Sequence, residues 1–93
     1  MNKELLYVLK ELGFGHDEND GIDLESRNEI EFTPLMKACI DNNVNAIKVL
    51  LKHGANIEAK DNYGSTALQI VISERDKYNE TIQILEAHTN GNL

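Results

Sequence analysis

The stretch TPLMKA at residues 33–38 begins a helix and decides how the rest of the chain is interpreted. The Thr33 hydroxyl can accept a hydrogen bond from an unpaired N–H of a first helical turn, and Pro34 fits the first helical position because proline has no N–H to lose. The apolar side chains that follow recur at helical spacing, at Leu35, Ala38 and Cys39. The stretch therefore predicts a short amphipathic helix with a defined start.

A second helix follows closely. Residues 41–43, DNN, interrupt the apolar pattern, and asparagine tolerates the left-handed backbone conformation that closes a helix. Gly54 marks the end of the next helix. The apolar face of that helix is formed by Val44, Ile47, Leu50 and Leu51. Residues 33–54 thus predict a helix–turn–helix unit.

The unit repeats at a shift of 33 along the sequence, because Thr33 and Leu35 then fall on Thr66 and Leu68. Gln69 follows Thr66 at the third position and completes a capping box. The last helix has apolar positions at Ile82, Ile84 and Leu85, and it aligns with the earlier second helix only at a shift of 35. A period of this length is typical of a solenoid.

The chain before the repeat predicts one more helix. Its leucines recur at helical spacing over residues 3–12, and Gly13 closes it. Val8 and Gly13 match Val49 and Gly54 at a shift of 41, eight more than the period. An insertion of eight residues, most of it an acidic loop, is therefore expected between this helix and the next hairpin.

These segments together resemble the ankyrin repeat, whose signature is T-P-L-H-x-A in a turn–helix–helix unit of about 33 residues. The resemblance is carried by TPLMKA at 33–38, VLLKHGANI at 49–57 and DNYGST at 61–66. It implies an all-α ankyrin-repeat solenoid of helix–turn–helix units with hairpin loops. Glu31 occupies the position that the hairpin glycine, Gly64, has in the next repeat. The missing glycine argues against the same conformation in the first hairpin.

The resemblance implies one ankyrin-repeat domain over residues 1–93. Its parts are an N-terminal half-repeat helix at 1–13, an acidic insertion loop at 14–21, a full repeat at 22–54 and a C-terminal capping repeat at 55–93.

The formal charge of −7 is concentrated in the first third of the chain. Residues 1–32 hold nine Asp and Glu against three Lys and Arg, and the rest holds seven against six. The acidic loop contains Asp17, Glu18 and Asp20. Such a field disfavours nucleic acid and anionic membranes as partners and favours a basic protein. The alternative is a solvated loop that serves solubility alone.

Neither catalysis nor a metal or other cofactor is expected. An EF-hand register that places Gly21 at position 6 puts His16 at position 1 and Arg27 at position 12, which are not calcium ligands. The three histidines show no metal-ligand spacing, and Cys39 is expected to be a buried, inert thiol. A single cysteine, no long apolar run and no signal-peptide pattern lead us to expect a cytoplasmic protein.

The resemblance implies a partner-binding surface formed by the hairpin tips and the exposed side of the first helix of each repeat. The corresponding positions are Arg27, Glu29, Ile30, Phe32, Ile40 and Asp41 in one repeat and Lys60, Asn62, Tyr63, Ser65, Ser73 and Glu74 in the next. Ile30, Phe32, Ile40 and Tyr63 would form an exposed hydrophobic patch. The alternative is that Ile30 and Phe32 form local core under the inserted loop.

Two functions agree with these observations. One is a small acidic inhibitor or immunity-type protein that binds and neutralises a basic partner protein or toxin. The other is an adaptor, scaffold or self-associating structural module, which includes a homodimer. Binding that collapses with salt favours the first, and salt-independent dimerisation favours the second.

Overall fold

A computed structural model describes residues 3–14 and 24–89 of the chain. These residues form five α-helices and no strand, which confirms the all-α solenoid. The acidic positions Asp17, Glu18 and Asp20 lie outside the described residues, as does most of the predicted insertion. The helices are α1 (Lys3–Glu11), α2 (Pro34–Ile40), α3 (Val44–Lys52), α4 (Ala67–Val71) and α5 (Asn79–Thr89), and a 3-10 turn at Ile72–Glu74 continues α4.

The helices lie in two layers. The first helices of the repeats, α2 and α4, contact each other, and the second helices follow the order α1, α3, α5, with α3 in contact with both of its neighbours. The interface between the layers is apolar because each helix turns its hydrophobic stripe inward. Its fully buried members include Leu9, Leu35, Met36, Ile47, Leu50, Ile82 and Leu85.

Both first helices begin at a threonine cap, as predicted. The Thr33 hydroxyl accepts from the N–H of Met36 at 3.3 Å, and the Thr66 hydroxyl accepts from the N–H of Gln69 at 3.3 Å. Gln69 Oε1 accepts in return from the N–H of Thr66 at 2.9 Å. The capping box that the sequence predicts at Thr66 is therefore present.

The second helices α1 and α3 end in the same way. Gly13 and Gly54 have positive φ angles of 88° and 92°, where a residue with a Cβ is disfavoured. The residue after each glycine donates its N–H to a carbonyl inside the helix, from Phe14 to Leu9 at 2.7 Å and from Ala55 to Leu50 at 3.0 Å. α1 thus ends as the second helix of a repeat does, in agreement with the alignment at a shift of 41.

Two extra residues separate the helices of the last repeat. α4 begins at a shift of 33 from α2, whereas α5 begins at a shift of 35 from α3. The longer connection is held against the preceding repeat, where Asn42 Nδ2 donates to the Lys77 carbonyl at 3.0 Å and the Tyr78 hydroxyl donates to the Ile40 carbonyl at 3.1 Å. The Thr81 hydroxyl donates to Asn42 Oδ1 at 2.6 Å. Asn42, at φ 55°, both turns the chain and ties the two repeats together.

The two hairpins share one hydrogen-bond pattern. Asn28 Oδ1 accepts from the N–H groups of Ile30 and Phe32, each at 3.0 Å. At the equivalent position of the next repeat, Asp61 Oδ1 accepts from its own hairpin in the same way, at 2.9 Å from each of two N–H groups. Glu31 has a φ of 64°, close to the 80° of Gly64. The first hairpin therefore keeps its conformation although it lacks the glycine.

Candidate functional site

The two hairpins form one continuous edge of the molecule, which we call the hairpin edge and define as residues 27–32 and 60–65. Arg27 Nη1 donates to the Glu31 carbonyl at 2.9 Å and to the Lys60 carbonyl at 2.6 Å. One guanidinium nitrogen thus closes its own hairpin and joins it to the next. Because several bonds fix the backbone of the edge, its side chains project from a rigid support.

Ile30 and Tyr63 occupy equivalent places at the tips of the two hairpins, related by the sequence shift of 33. They are 59% and 90% exposed, the latter the most exposed of the large hydrophobic side chains among the described residues. The backbone N–H of each donates to the side chain of its hairpin's Asn28 or Asp61, so this N–H is satisfied while the side chain is exposed. A large apolar side chain on a fixed backbone loses little conformational entropy when a partner covers it.

Phe32 and Ile40 are less exposed than the predicted patch requires. Phe32 is half-buried and packs against the core, because it leads directly into buried Thr33 at the start of α2. Ile40 is also half-buried, at the end of α2 where Tyr78 reaches its carbonyl. The four side chains therefore do not make one exposed patch, and only the two at the hairpin tips are exposed.

The other predicted binding residues divide into two groups at opposite ends of the first helices. Those on the hairpin edge are Arg27, Glu29, Lys60, Asn62 and Ser65, of which Ser65 is half-buried and the other four are exposed. Those at the far end of α2 and α4 are Asp41, Ser73 and Glu74, which are exposed. α2 has seven residues, which at 1.5 Å per residue separates the groups by about 10 Å.

Two of these positions already have intramolecular partners. Asp41 forms an ion pair with Lys37 at 2.6 Å, and Arg27 holds the two hairpins together. We therefore expect Arg27 to support the surface and the neighbouring Glu29, Lys60 and Asn62 to be available to a partner.

The described residues carry less than half of the net charge. They hold twelve Asp and Glu against nine Lys and Arg, a net charge of −3. The remaining excess of the −7 comes from the four acids of residues 15–23, which are Asp17, Glu18, Asp20 and Asp23. The negative charge is thus densest in the segment that follows α1 and precedes the first hairpin.

The described residues contain little that could carry chemistry. Burial raises the pKa of the Cys39 thiol to about 12, so the thiol stays protonated at neutral pH and is a poor nucleophile. Within residues 3–14 and 24–89, no three His, Cys, Asp or Glu side chains come close enough together to hold a metal ion. None of the helices in these ranges is long and apolar enough to cross a membrane.

Two features of the surface were not predicted from the sequence. An open hollow of about 650 Å³ borders the hairpin edge, and its wall includes Gly13 at the end of α1 as well as Arg27 and Ile30. A groove of about 490 Å³ runs along the second helices α3 and α5. Each is lined by residues distant in sequence, so no local sequence motif predicts it.

Comparison with known proteins places the chain among repeat proteins. A family model described as "Ankyrin repeats (many copies)" matches residues 16–71, more than half of the chain. A potassium channel of Arabidopsis thaliana, AKT2/3, is 45% identical over 40 residues. That match covers 43% of this chain and 5% of the channel, so the chain corresponds to a small part of that relative.

Proposed function

We propose that this chain, which belongs to the ankyrin repeat family and is therefore a protein–protein interaction module, is a small acidic inhibitor that binds and neutralises a basic protein. The observation that carries the proposal is the pair of exposed side chains, Ile30 and Tyr63, at the tips of two hairpins of fixed backbone. Aromatic and aliphatic anchors of this kind dominate binding energy when a partner excludes water from them.

The charge of the chain supports a basic partner. A net charge of −7 on 93 residues produces a field that speeds the approach of a positively charged protein. Beyond a Debye length of about 8 Å at physiological salt this field is screened. In this proposal the acids accelerate association, and the anchors at the hairpin edge determine how long the complex lasts.

Affinity capture tests the proposal. The chain is immobilised, exposed to an extract of its native source and eluted in steps of rising salt, and each fraction is identified by mass spectrometry. We expect a basic protein that leaves only at high salt, and whose activity falls when the chain is added. A captured protein whose activity does not change would contradict inhibition.

A matched pair of variants locates the binding surface. Ile30→Ser combined with Tyr63→Ser removes the two anchors of the hairpin edge, and we expect it to capture little of the partner. Tyr7→Ser is the control, because Tyr7 is 66% exposed on α1 and does not belong to the edge. Equal capture of the partner by the two variants would show that the hairpin edge is not the binding surface.

The acidic loop is tested separately by rate measurements. Replacing Asp17, Glu18 and Asp20 by their amides should slow association and flatten its salt dependence, while dissociation stays unchanged. An unchanged association rate would mean that the acidic loop serves solubility and does not assist binding. A dimer mass in light scattering together with no captured partner would instead favour the self-associating module.

A further inference from the structure

The groove between α3 and α5, which we call the back groove, is lined by Lys48, Leu51 and Lys52 from α3 and by Ile84, Ala87 and His88 from α5. Its volume is about 490 Å³. These residues belong only to the second helices, so the back groove shares no residue with the hairpin edge. An inference about it is independent of the basic partner proposed above.

The floor of the back groove is apolar. Leu51 is buried at its base, Ile84 is half-buried and Ala87 is exposed. The two helices are equivalent members of successive repeats and lie side by side, so the apolar floor extends along both. Such a strip between helices is the usual support for the hydrophobic face of an amphipathic segment.

The rim of the back groove is positive, in contrast to the chain as a whole. Lys48 and Lys52 are exposed and lie one helical turn apart on the same side of α3. The Lys48 side chain forms no hydrogen bond or ion pair with any of the described residues, and the only carboxylate close to the Lys52 ammonium in that part of the chain is that of Glu4, at 3.8 Å. His88 lies across the groove on α5. The positive charge of the rim is therefore only weakly neutralised by nearby carboxylates.

We propose that the back groove binds an acidic amphipathic helix of a second partner protein. Apolar side chains of the helix would cover Leu51, Ile84 and Ala87, and carboxylates along one side would meet Lys48 and Lys52. The Cβ atoms of residues at positions i and i+4 of a helix are about 6 Å apart, so carboxylates at this spacing on the bound helix match the two lysines at the same spacing on α3. The spacing of the two lysines and their positive charge thus both favour an acidic helix in the groove.

Charge also distinguishes this partner from other anionic ones. A duplex nucleic acid or an anionic membrane extends beyond the groove and meets the field of a chain that carries −7. A short helix with a few carboxylates contacts only the local basic rim, because charges more than about 8 Å away are screened. The groove therefore suits a protein segment.

The experiment uses fluorescence anisotropy with a synthetic, end-blocked helical peptide of about 14 residues, or four helical turns. The peptide has leucine along one face and glutamate on both flanks, and its counterpart has glutamine in place of glutamate. We expect saturable binding of the glutamate peptide and about tenfold weaker binding of the glutamine peptide. Equal affinity for the two peptides would overturn the proposal.

Charge reversals on the protein locate the bound peptide. Lys48→Glu combined with Lys52→Glu should weaken binding by about tenfold. Lys3→Glu combined with Lys10→Glu on α1 changes the net charge equally but leaves the groove intact, and it should weaken binding by less than about threefold. Equal losses in the two double variants would mean that the peptide responds to net charge and not to the groove.

One substitution separates occupation of the groove from attraction to its rim. Ala87→Lys adds a positive charge and at the same time fills the floor, and the helix tolerates it because Ala87 is exposed on α5. Weaker binding supports a helix seated in the groove, whereas stronger binding overturns it. Far-ultraviolet circular dichroism shows that each variant remains folded before its affinity is compared.

Discussion

Glu31→Gly should stabilise the protein. Glu31 has a φ of 64°, where a residue with a Cβ costs about 1–2 kcal/mol, and the exposed side chain contributes nothing to the hairpin bonds, which use its backbone. Glycine removes that cost but loses about 0.5–1 kcal/mol more entropy on folding. The balance is a gain of about 0.5–1 kcal/mol in the free energy of unfolding.

Asn42→Gly is the matched control, because Asn42 also has a positive φ, 55°. Its side chain, unlike that of Glu31, donates to the Lys77 carbonyl and accepts from the Thr81 hydroxyl, and Thr81 is fully buried. Removing the acceptor leaves a buried hydroxyl unpaired, which costs about 1–3 kcal/mol. Asparagine also tolerates this conformation better than glutamate does, so less strain is relieved. The expected result is a net loss of about 1–3 kcal/mol.

Urea unfolding followed by circular dichroism measures both variants. The midpoint should rise for Glu31→Gly and fall for Asn42→Gly, with little change in the slope. A lower midpoint for Glu31→Gly would refute the reasoning, because it would mean that the glutamate is not strained in the first hairpin. Equal gains in the two variants would refute the structural role assigned to the Asn42 side chain.

Three further predictions concern the core, the caps and the buried thiol. Leu50→Ala should lower the free energy of unfolding by about 2–5 kcal/mol, because Leu50 is fully buried and leaves a cavity; a loss below about 1 kcal/mol would contradict its place in the core. Thr66→Ala should cost about 1 kcal/mol in the same assay by removing a cap, whereas Thr66→Ser should retain most of the stability. Burial raises the pKa of Cys39 to about 12 from 9.0, so the native state holds this proton more tightly than the unfolded chain. The stability difference between wild type and Cys39→Ala should therefore be constant below pH 9 and shift against wild type as the pH rises from 9 toward 12, and a difference that stays flat would show that the thiol is accessible.

The sequence predicted the helices well because their boundaries are determined locally. Thr33 and Thr66 cap the first helices through hydrogen bonds within the first helical turn, and Gly13 and Gly54 close the second helices. These interactions depend only on neighbouring residues, so the local sequence contains them. The match at a shift of 33 likewise assigns Ile30 and Tyr63 to equivalent hairpin tips.

The sequence did not predict features that depend on distant contacts. Because Glu31 replaces the hairpin glycine, the sequence argued against the usual conformation of the first hairpin. The Asn28 side chain and the bond from Arg27 to the Lys60 carbonyl of the next repeat nevertheless hold the hairpin in that conformation. Alternation of apolar residues could not decide whether Phe32 faces solvent or the core, because the orientation depends on how the chain enters α2. The back groove exists only where α3 and α5 lie together, because its lining comes from both helices.

Site-specific photo-cross-linking tests the central claim, that the hairpin edge is where this chain binds another protein. Benzoylphenylalanine is placed at position 63 in one sample and at position 7 in another, both exposed tyrosine positions, and each is irradiated in an extract of the native source. We predict a covalent adduct with a basic protein from position 63 that is absent from position 7. The same adduct from both positions, or an adduct from position 7 alone, would contradict the account.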